Sequence, residues 1–524
     1  MSIETTSPIR TARQQGLGDL PRRSARRTPD KTAVVDGDVR LTFAQLDELV
    51  DRVGHAIEDR GLSHGDRLAV LSRNSWEFVV LAFATARLGV LLVPVNFMLK
   101  ADEIAFILDH SGAAGLVAGP ELAGVASDAL DRSESPARVR ATFGAQAVDG
   151  WESFEAWTAH ADGSPVQVEV ADDDPLRLMY TSGTESRPKG VLLTSRSLLW
   201  QYATCAIDGS MESDDIELHS LPLYHCAQLD CFLGPDVYLG ATSIITQAPE
   251  PSTLLRLIEE HGVTKFFAPP TVWISLLRSP DFDGADLSSL RKGYYGASAM
   301  PVEVLREISE RLPDVRLWNF YGQTEMSPLA TILKPDEQLE FAGAAGRPSI
   351  NVETRVVDDE DRPVPAGEVG EIVHRSPHAM LGYYNDPEKT AEAFRNGWFH
   401  SGDLGVLDEQ GVLRVVDRKK DMIKTGGENV ASREVEEAIY LLDGVAEVAV
   451  FGVSDPRWIE AVAAVVVPRP GAELTPDAVI AHVRGLLAGY KTPKHVVVVD
   501  ELPKNPSGKI LKRVLRDGFV PGDS

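Results

Sequence analysis

Apolar runs of strand length alternate with amphipathic helical stretches along almost the whole chain. That alternation restricts the fold to layered α/β architectures. Residues 251–277 form one clear unit: Leu254, Leu255 and Ile258 recur at helical spacing, Gly262 should end that helix, and Val263 to Ala268 reads as a buried strand halted by Pro269 and Pro270. Acidic Asp172-Asp173-Asp174 before Pro175 reads as a surface turn. With 524 residues the chain is too long for one core, so at least two domains are expected. The clearest boundary lies at Asp417-Arg418-Lys419-Lys420-Asp421, after a last strand over 411–416. Beyond it, Val435, Ala438, Ile439 and Leu442 make one helical face, and residues 445–450, 461–467 and 495–499 are β-rich. We therefore expect a domain over 1–419 and a small α+β domain over 420–524. There is no internal repeat.

The formal net charge of -26 argues against nonspecific nucleic-acid binding, which needs a basic surface. A few lysines and local dipoles can still bind small anions. Cys205, Cys226 and Cys231 are too few and wrongly spaced for a zinc site or a disulfide scaffold, so they read as buried small hydrophobes. The basic N-terminus has no apolar run behind it, and the longest apolar stretch, 78–95, is broken by Arg87 and Pro94. Neither a signal peptide nor a transmembrane segment is expected, and a cytoplasmic location is the default.

Six segments carry chemistry. The run Thr181-Ser182-Gly183-Thr184-Glu185-Ser186-Arg187-Pro188-Lys189-Gly190 lies between two predicted strands. Hydroxyls, a glycine and Lys189 suit phosphate oxygens. It is not a Walker A loop, because Lys189-Gly190 runs into a strand and not a helix. A polar hairpin with no ligand fits the same residues. Gly293 to Ser298 ends a strand in small residues. Asn319-Phe320-Tyr321-Gly322-Gln323-Thr324-Glu325 and Gly397 to Asp403 each end in a carboxylate. Leu221 to Gln228 places His225 in a Pro-Leu-Tyr context. Pro503 to Ile510 carries Lys509 in a basic tail.

Taken in chain order, the motifs resemble those of the adenylate-forming superfamily, and most resemble acyl-CoA synthetases of the fatty-acid type. The resemblance implies a large N-terminal domain of layered sheets and helices with a small β-barrel-like part, and a small mobile C-terminal domain. It implies ATP, Mg²⁺ and CoA. By resemblance Thr181, Ser182, Gly183, Thr184 and Lys189 meet phosphate, and Thr184 and Glu325 serve Mg²⁺. Glu185-Ser186 departs from the usual Thr-Gly, so a phosphate contact by residue 185 is not carried over. Gly296, Ala297 and Ser298 line the adenine and acyl pockets. Asn319, Tyr321, Gly322 and Thr324 belong to the nucleotide site, with Tyr321 stacking on adenine and Thr324 at the α-phosphate. Asp403 and Arg418 hold the ribose. Lys509 supplies charge to acyl-AMP formation. Rotation about Lys420 brings in a thiolation face of Lys424, Gly426 and Gly427. His225 lies beside the acyl carboxylate. Polar Gln228 and Asp230 next to it hint at a functionalised acid or a partner-facing surface.

The expected reaction is thus an ATP-dependent ligation of a carboxylic acid to CoA through acyl-AMP. Alternatives are an acyl-AMP ligase that loads a carrier protein, a relative that activates a small acid such as nitrite for an amine, and a non-enzymatic binding module. The residues do not fix an oligomeric state; a homodimer is the one carried forward.

Overall fold

The structure is a computed structural model that describes residues 12, 15–145, 148, 150–181, 188–425, 428–455, 457–504 and 510–519. Ser182, Gly183, Thr184, Gly426, Gly427 and Lys509 lie outside the described residues.

Two compact units emerge. The described residues of Met1–Gly183, Arg187–Thr354 and His374–Phe399 form one, and those of Arg355–Val373 and His400–Ser524 the other. The first holds two large sheets. One runs, edge to edge, Arg347–Pro348, Leu329–Leu333, Arg316–Gly322, Lys292–Gly296, Lys265–Phe267, Ile216–His219, Thr242–Ile245, Thr32–Asp36, Val39–Thr42. Its central pairings are parallel. The other runs Gly382–Tyr383, Lys189–Thr194, Pro175–Thr181, Leu91–Val95, Arg67–Leu71, Gly115–Ala118, Val139–Thr142, Glu152–Ser153. Crossover helices join the parallel strands, as right-handed βαβ units require.

Local signals explain the helices. Gly262 closes Pro251–His261 in the left-handed region at φ 60°, the conformation a glycine adopts at least cost. Thr42 and Gln45 cap Phe43–Asp59 reciprocally: the Gln45 N–H donates to Thr42 Oγ1 and the Thr42 N–H to Gln45 Oε1. The apolar stretch 78–95 is the helix Trp76–Leu88 followed by the strand Leu91–Val95, both buried on nearly every side. Among the described residues no helix is long and apolar enough to cross a membrane. All three cysteines are buried and free.

A charged cluster joins the nine-stranded sheet to the helix Gly234–Leu239. Glu217, His219, Asp236 and Lys265 are all fully buried. Lys265 Nζ is 2.7 Å from Glu217 Oε2 and also pairs with Asp236. Burial alone would lower the Lys265 pKa; Asp236 and then Glu217 outweigh it and hold it above the ordinary value. Burial likewise opposes ionisation of Asp236, yet Lys265 and His219 keep its pKa low. The three acidic and imidazole groups could together hold a metal ion. The lysine ammonium already supplies the positive charge there.

Two more buried groups give a pH-dependent prediction. His374 and His378 are fully buried. Burial lowers their pKa values to about 3 and about 4. The unfolded chain takes up these protons near pH 6.5, whereas the folded chain does not until far lower pH. Stability is therefore unaffected above that pH and falls as pH drops from 6.5 toward 4. We expect a loss of about 2–4 kcal/mol between pH 7 and 5. Denaturation midpoints at the two pH values measure it, and His374→Val with His378→Gln should flatten the dependence.

The second unit has a four-stranded sheet in the order Glu353–Val357, Val369–Arg375, Phe399–Leu407, Leu413–Arg418. A five-stranded sheet of Ile423–Thr425, Glu428–Val430, Val445–Asp455, Ile459–Pro468 and His495–Val498 follows, packed with the helices Ser432–Tyr440 and Pro476–Leu486. Asp417, at the end of the Leu413–Arg418 strand, accepts the Arg418 N–H at 2.7 Å and both the N–H and hydroxyl of buried Ser432, at 2.6 and 2.8 Å. Lys512 donates to Ser432 Oγ at 2.7 Å and pairs with Glu436 at 2.8 Å.

Candidate active site

The hairpin Pro175–Thr181 and Lys189–Thr194 carries the two described ends of the hydroxyl-rich loop. Thr181 pairs with Lys189 across it. The Lys189–Thr194 strand is also paired on its other edge, by Gly382–Tyr383. That pairing lays the Tyr383 ring 5.1 Å from Lys189 Nζ. The Tyr383 hydroxyl donates to Glu325 Oε1 at 3.0 Å, and the Met380 N–H donates to the Glu325 carbonyl at 2.7 Å. Lys189, Tyr383 and Glu325 thus form one chain of contacts drawn from three distant segments. Tyr383 is absent from the sequence-based candidates. Its neighbours Gly382 and Tyr384 give only the signal of a short edge strand.

The segment Asn319 to Glu325 leaves the strand Arg316–Gly322 and turns into Thr324–Met326. Gly322 is required there, because a Cβ would stand 1.8 Å from the Pro328 carbonyl oxygen. Gly296 is explained in the same way: a Cβ would meet the Phe320 carbonyl at 2.5 Å on the neighbouring strand. Ala297 follows with φ 65°, and it and Ser298 are exposed. Asn319 is buried and donates to the Ala344 carbonyl at 2.9 Å, so its amide braces the strand end. Tyr321 is half-buried, with its ring centroid 6.4 Å from that of His374. Thr324 Oγ1 is 3.2 Å from Cys226 Sγ, which joins this segment to the Leu221 to Gln228 loop. Burial pushes the Cys226 thiol up to about 12, so it is a packing and hydrogen-bonding neighbour and not a thiolate.

His225 caps the short helix Cys226–Gln228. Its Nδ1 accepts the Ala227 N–H at 3.1 Å, which leaves the ring hydrogen on Nε2. The residue is exposed, and desolvation by nearby protein lowers its pKa. The ring is therefore a neutral donor through Nε2–H at pH 7.

The expectation for Gln228 and Asp230 is overturned. Both are fully buried. Gln228 donates to His219 Nδ1 at 2.7 Å and accepts the Leu221 N–H at 3.2 Å. Asp230 accepts the Tyr202 hydroxyl at 2.8 Å, and burial pushes its carboxyl up to about 6. They form the underside of the loop: Gln228 ends the short helix Cys226–Gln228, and Asp230 lies in the π-helical turn Leu229–Leu233 that follows. Neither a functionalised acid nor a partner surface is indicated by them, and the nitrite alternative loses its only sequence support.

In the second unit Asp403 and Arg418 face each other across the strand pair Phe399–Leu407 and Leu413–Arg418, with Arg418 Nε 3.4 Å from Asp403 Oδ1. Such an opposed pair fixes both side chains on one face of the sheet. Lys420 lies in the exposed turn after Arg418. Lys424 is exposed on Ile423–Thr425, and its N–H donates to Glu460 Oε2 at 2.7 Å.

The donors present suit a nucleotide and a hard cation: a carboxylate oriented by a tyrosine, hydroxyls beside it, and Lys189 at the mouth of the loop. The comparisons with known proteins show the family. A family profile described as AMP-binding enzyme matches residues 21–384, and one described as AMP-binding enzyme C-terminal domain matches 434–509. The feruloyl-CoA synthase of an Amycolatopsis species is 39% identical over 97% of this chain and 100% of its own. Among solved structures, a Mycobacterium tuberculosis fatty acyl CoA synthetase is 34% identical with a TM-score of 0.78, covering 96% of this chain and 98% of its own. ATP-bound MatB from Rhodopseudomonas palustris is 30% identical with a TM-score of 0.86, covering 96% and 99%. The chain belongs to the AMP-binding enzyme family of ATP-dependent, adenylate-forming ligases.

Proposed function

We propose that this protein is an AMP-forming acid–CoA ligase acting on an aromatic carboxylic acid of the feruloyl type. The observation that carries the reading is the meeting of Thr324 with Cys226, which sets the nucleotide-side segment against the loop of His225. Full-length identity of 39% to a feruloyl-CoA synthase supports the acid class. In the first step a carboxylate oxygen of the acid attacks the α-phosphorus of ATP, a new P–O bond forms, and pyrophosphate leaves. In the second step the CoA sulfur attacks the acyl carbon, the thiol proton is released, and AMP leaves with the electron pair.

The roles are those the motif resemblance implies; contacts of the described members, Lys189, Glu325, Tyr383, Asp403 and Arg418, support them. Lys189, with Thr181, Ser182, Gly183 and Thr184, cradles the phosphates. Glu325, with Thr184, would hold Mg²⁺, which would supply positive charge to the phosphates. Tyr383 keeps the Glu325 carboxylate aimed. Tyr321 packs on the adenine, beside Gly296, Ala297 and Ser298. Asp403 and Arg418 take the ribose hydroxyls. His225 donates its Nε2–H to the acid and transfers no proton. Lys509 serves the first step, and a turn at Lys420 between regions 1–419 and 420–524 presents Lys424, Gly426 and Gly427 for the second. The three free, buried cysteines support a reducing, cytoplasmic setting.

The test is a panel of free acids assayed for AMP release with and without CoA. Ferulate and related aryl acids should exceed straight-chain fatty acids at least about tenfold in kcat/KM. Preference for fatty acids would overturn the acid class. Loading of a carrier protein in place of CoA would overturn the acceptor.

A further inference from the structure

The His225 loop is held from behind by a residue that no motif marks. Asn74 follows the parallel strand Arg67–Leu71 of the eight-stranded sheet and is 2% exposed. Its Nδ2 donates to the Leu221 carbonyl at 2.8 Å and to the Thr246 carbonyl at 3.0 Å. Its Oδ1 accepts the Leu223 N–H at 2.8 Å. Leu221 and Thr246 each lie just past the carboxyl end of a strand of the nine-stranded sheet, Ile216–His219 and Thr242–Ile245. One amide therefore ties the carboxyl ends of strands from both sheets together, the place where α/β folds put ligands. It grips the loop on both sides of Pro222, three residues before His225. The other end is gripped by Gln228, which reaches back to the Leu221 N–H. Both anchors are buried and bonded at well-formed distances, so the loop backbone has little freedom to shift.

Resting on the reading of the site as an acid–CoA ligase, we propose that Asn74 is a positioning residue for the acid, acting through His225. It sets the backbone from which the His225 ring projects, and so the direction of the Nε2–H. Asn74 itself has no bond to the nucleotide-side segment Asn319 to Glu325 among the described contacts; the loop meets that segment through Cys226, on the far side of His225 from Asn74, so the larger effect should fall on the acid.

A double-mutant cycle on the full chain tests this, read by acid-dependent pyrophosphate release. Asn74→Ala should raise the KM for the acid about tenfold and leave that for ATP within about twofold. In a His225→Ala background the same change should add less than about twofold, because the group it positions is gone. Equal tenfold effects in both backgrounds, or a matching rise in the KM for ATP, would show a general structural role and overturn the proposal. Asn74→Ser, whose hydroxyl can serve one carbonyl, runs the same cycle where the alanine variant does not fold. If the unaltered protein releases no pyrophosphate with any acid, the functional reading fails and takes this inference with it. An active protein with additive variants sinks the inference alone.

Discussion

Lys509→Ala should slow acyl-AMP formation about 10²–10³-fold while thioester formation from supplied acyl-AMP and CoA stays near the rate of the unaltered protein. Both substrates of the first step are anions, and charge accumulates around the α-phosphorus as they join. A preorganised cation aimed there acts on the transition state more than on the ground state, so its loss falls on the rate and not only on binding. In the second step a thiol attacks an acyl carbon and no triphosphate is present, so the same lysine has no comparable charge to neutralise. Exchange of labelled pyrophosphate into ATP measures the first step, and chromatography of acyl-CoA the second. Normal pyrophosphate exchange in the variant would remove Lys509 from the chemistry.

Lys265→Met should cost about 3–5 kcal/mol of stability, the range found when one partner of a buried charge pair is removed. Asp236, on the helix Gly234–Leu239, is held ionised by this ammonium, with Glu217 beside it. Methionine fills much of the volume but leaves the carboxylate uncompensated in a low-dielectric setting. Adding Asp236→Asn should recover most of the loss, because the stranded charge is then gone. Urea denaturation followed by far-ultraviolet circular dichroism measures both variants. A loss below about 1 kcal/mol for the single variant would mean that the cluster is not an obligatory ion pair.

Much of the fold was legible because its signals are local. Leu254, Leu255 and Ile258 followed by Gly262 define the helix Pro251–His261, and the strands Pro175–Thr181 and Lys189–Thr194 bracket the hydroxyl-rich loop as their apolar runs imply. What escaped depends on partners far away in the chain. Gln228 and Asp230 looked like substrate-facing polar residues, because nothing in their spacing reveals a π-helical turn or the buried partners His219 and Tyr202. Tyr383 and Asn74 were invisible for the same reason: each draws its meaning from segments that only tertiary structure joins. Gly296 and Gly322 drew notice as ligand-facing, and their lack of a side chain is explained by adjacent carbonyls.

Asp417 and Ser432 lie on opposite sides of Lys420 in the chain, and a buried carboxylate binds them together. Torsion at Lys420 that separates the two must first strip that carboxylate of two donors at once. Such a contact would act as a detent that resists small excursions. If the chain pivots at Lys420 as proposed, this contact would favour discrete poses over gradual drift.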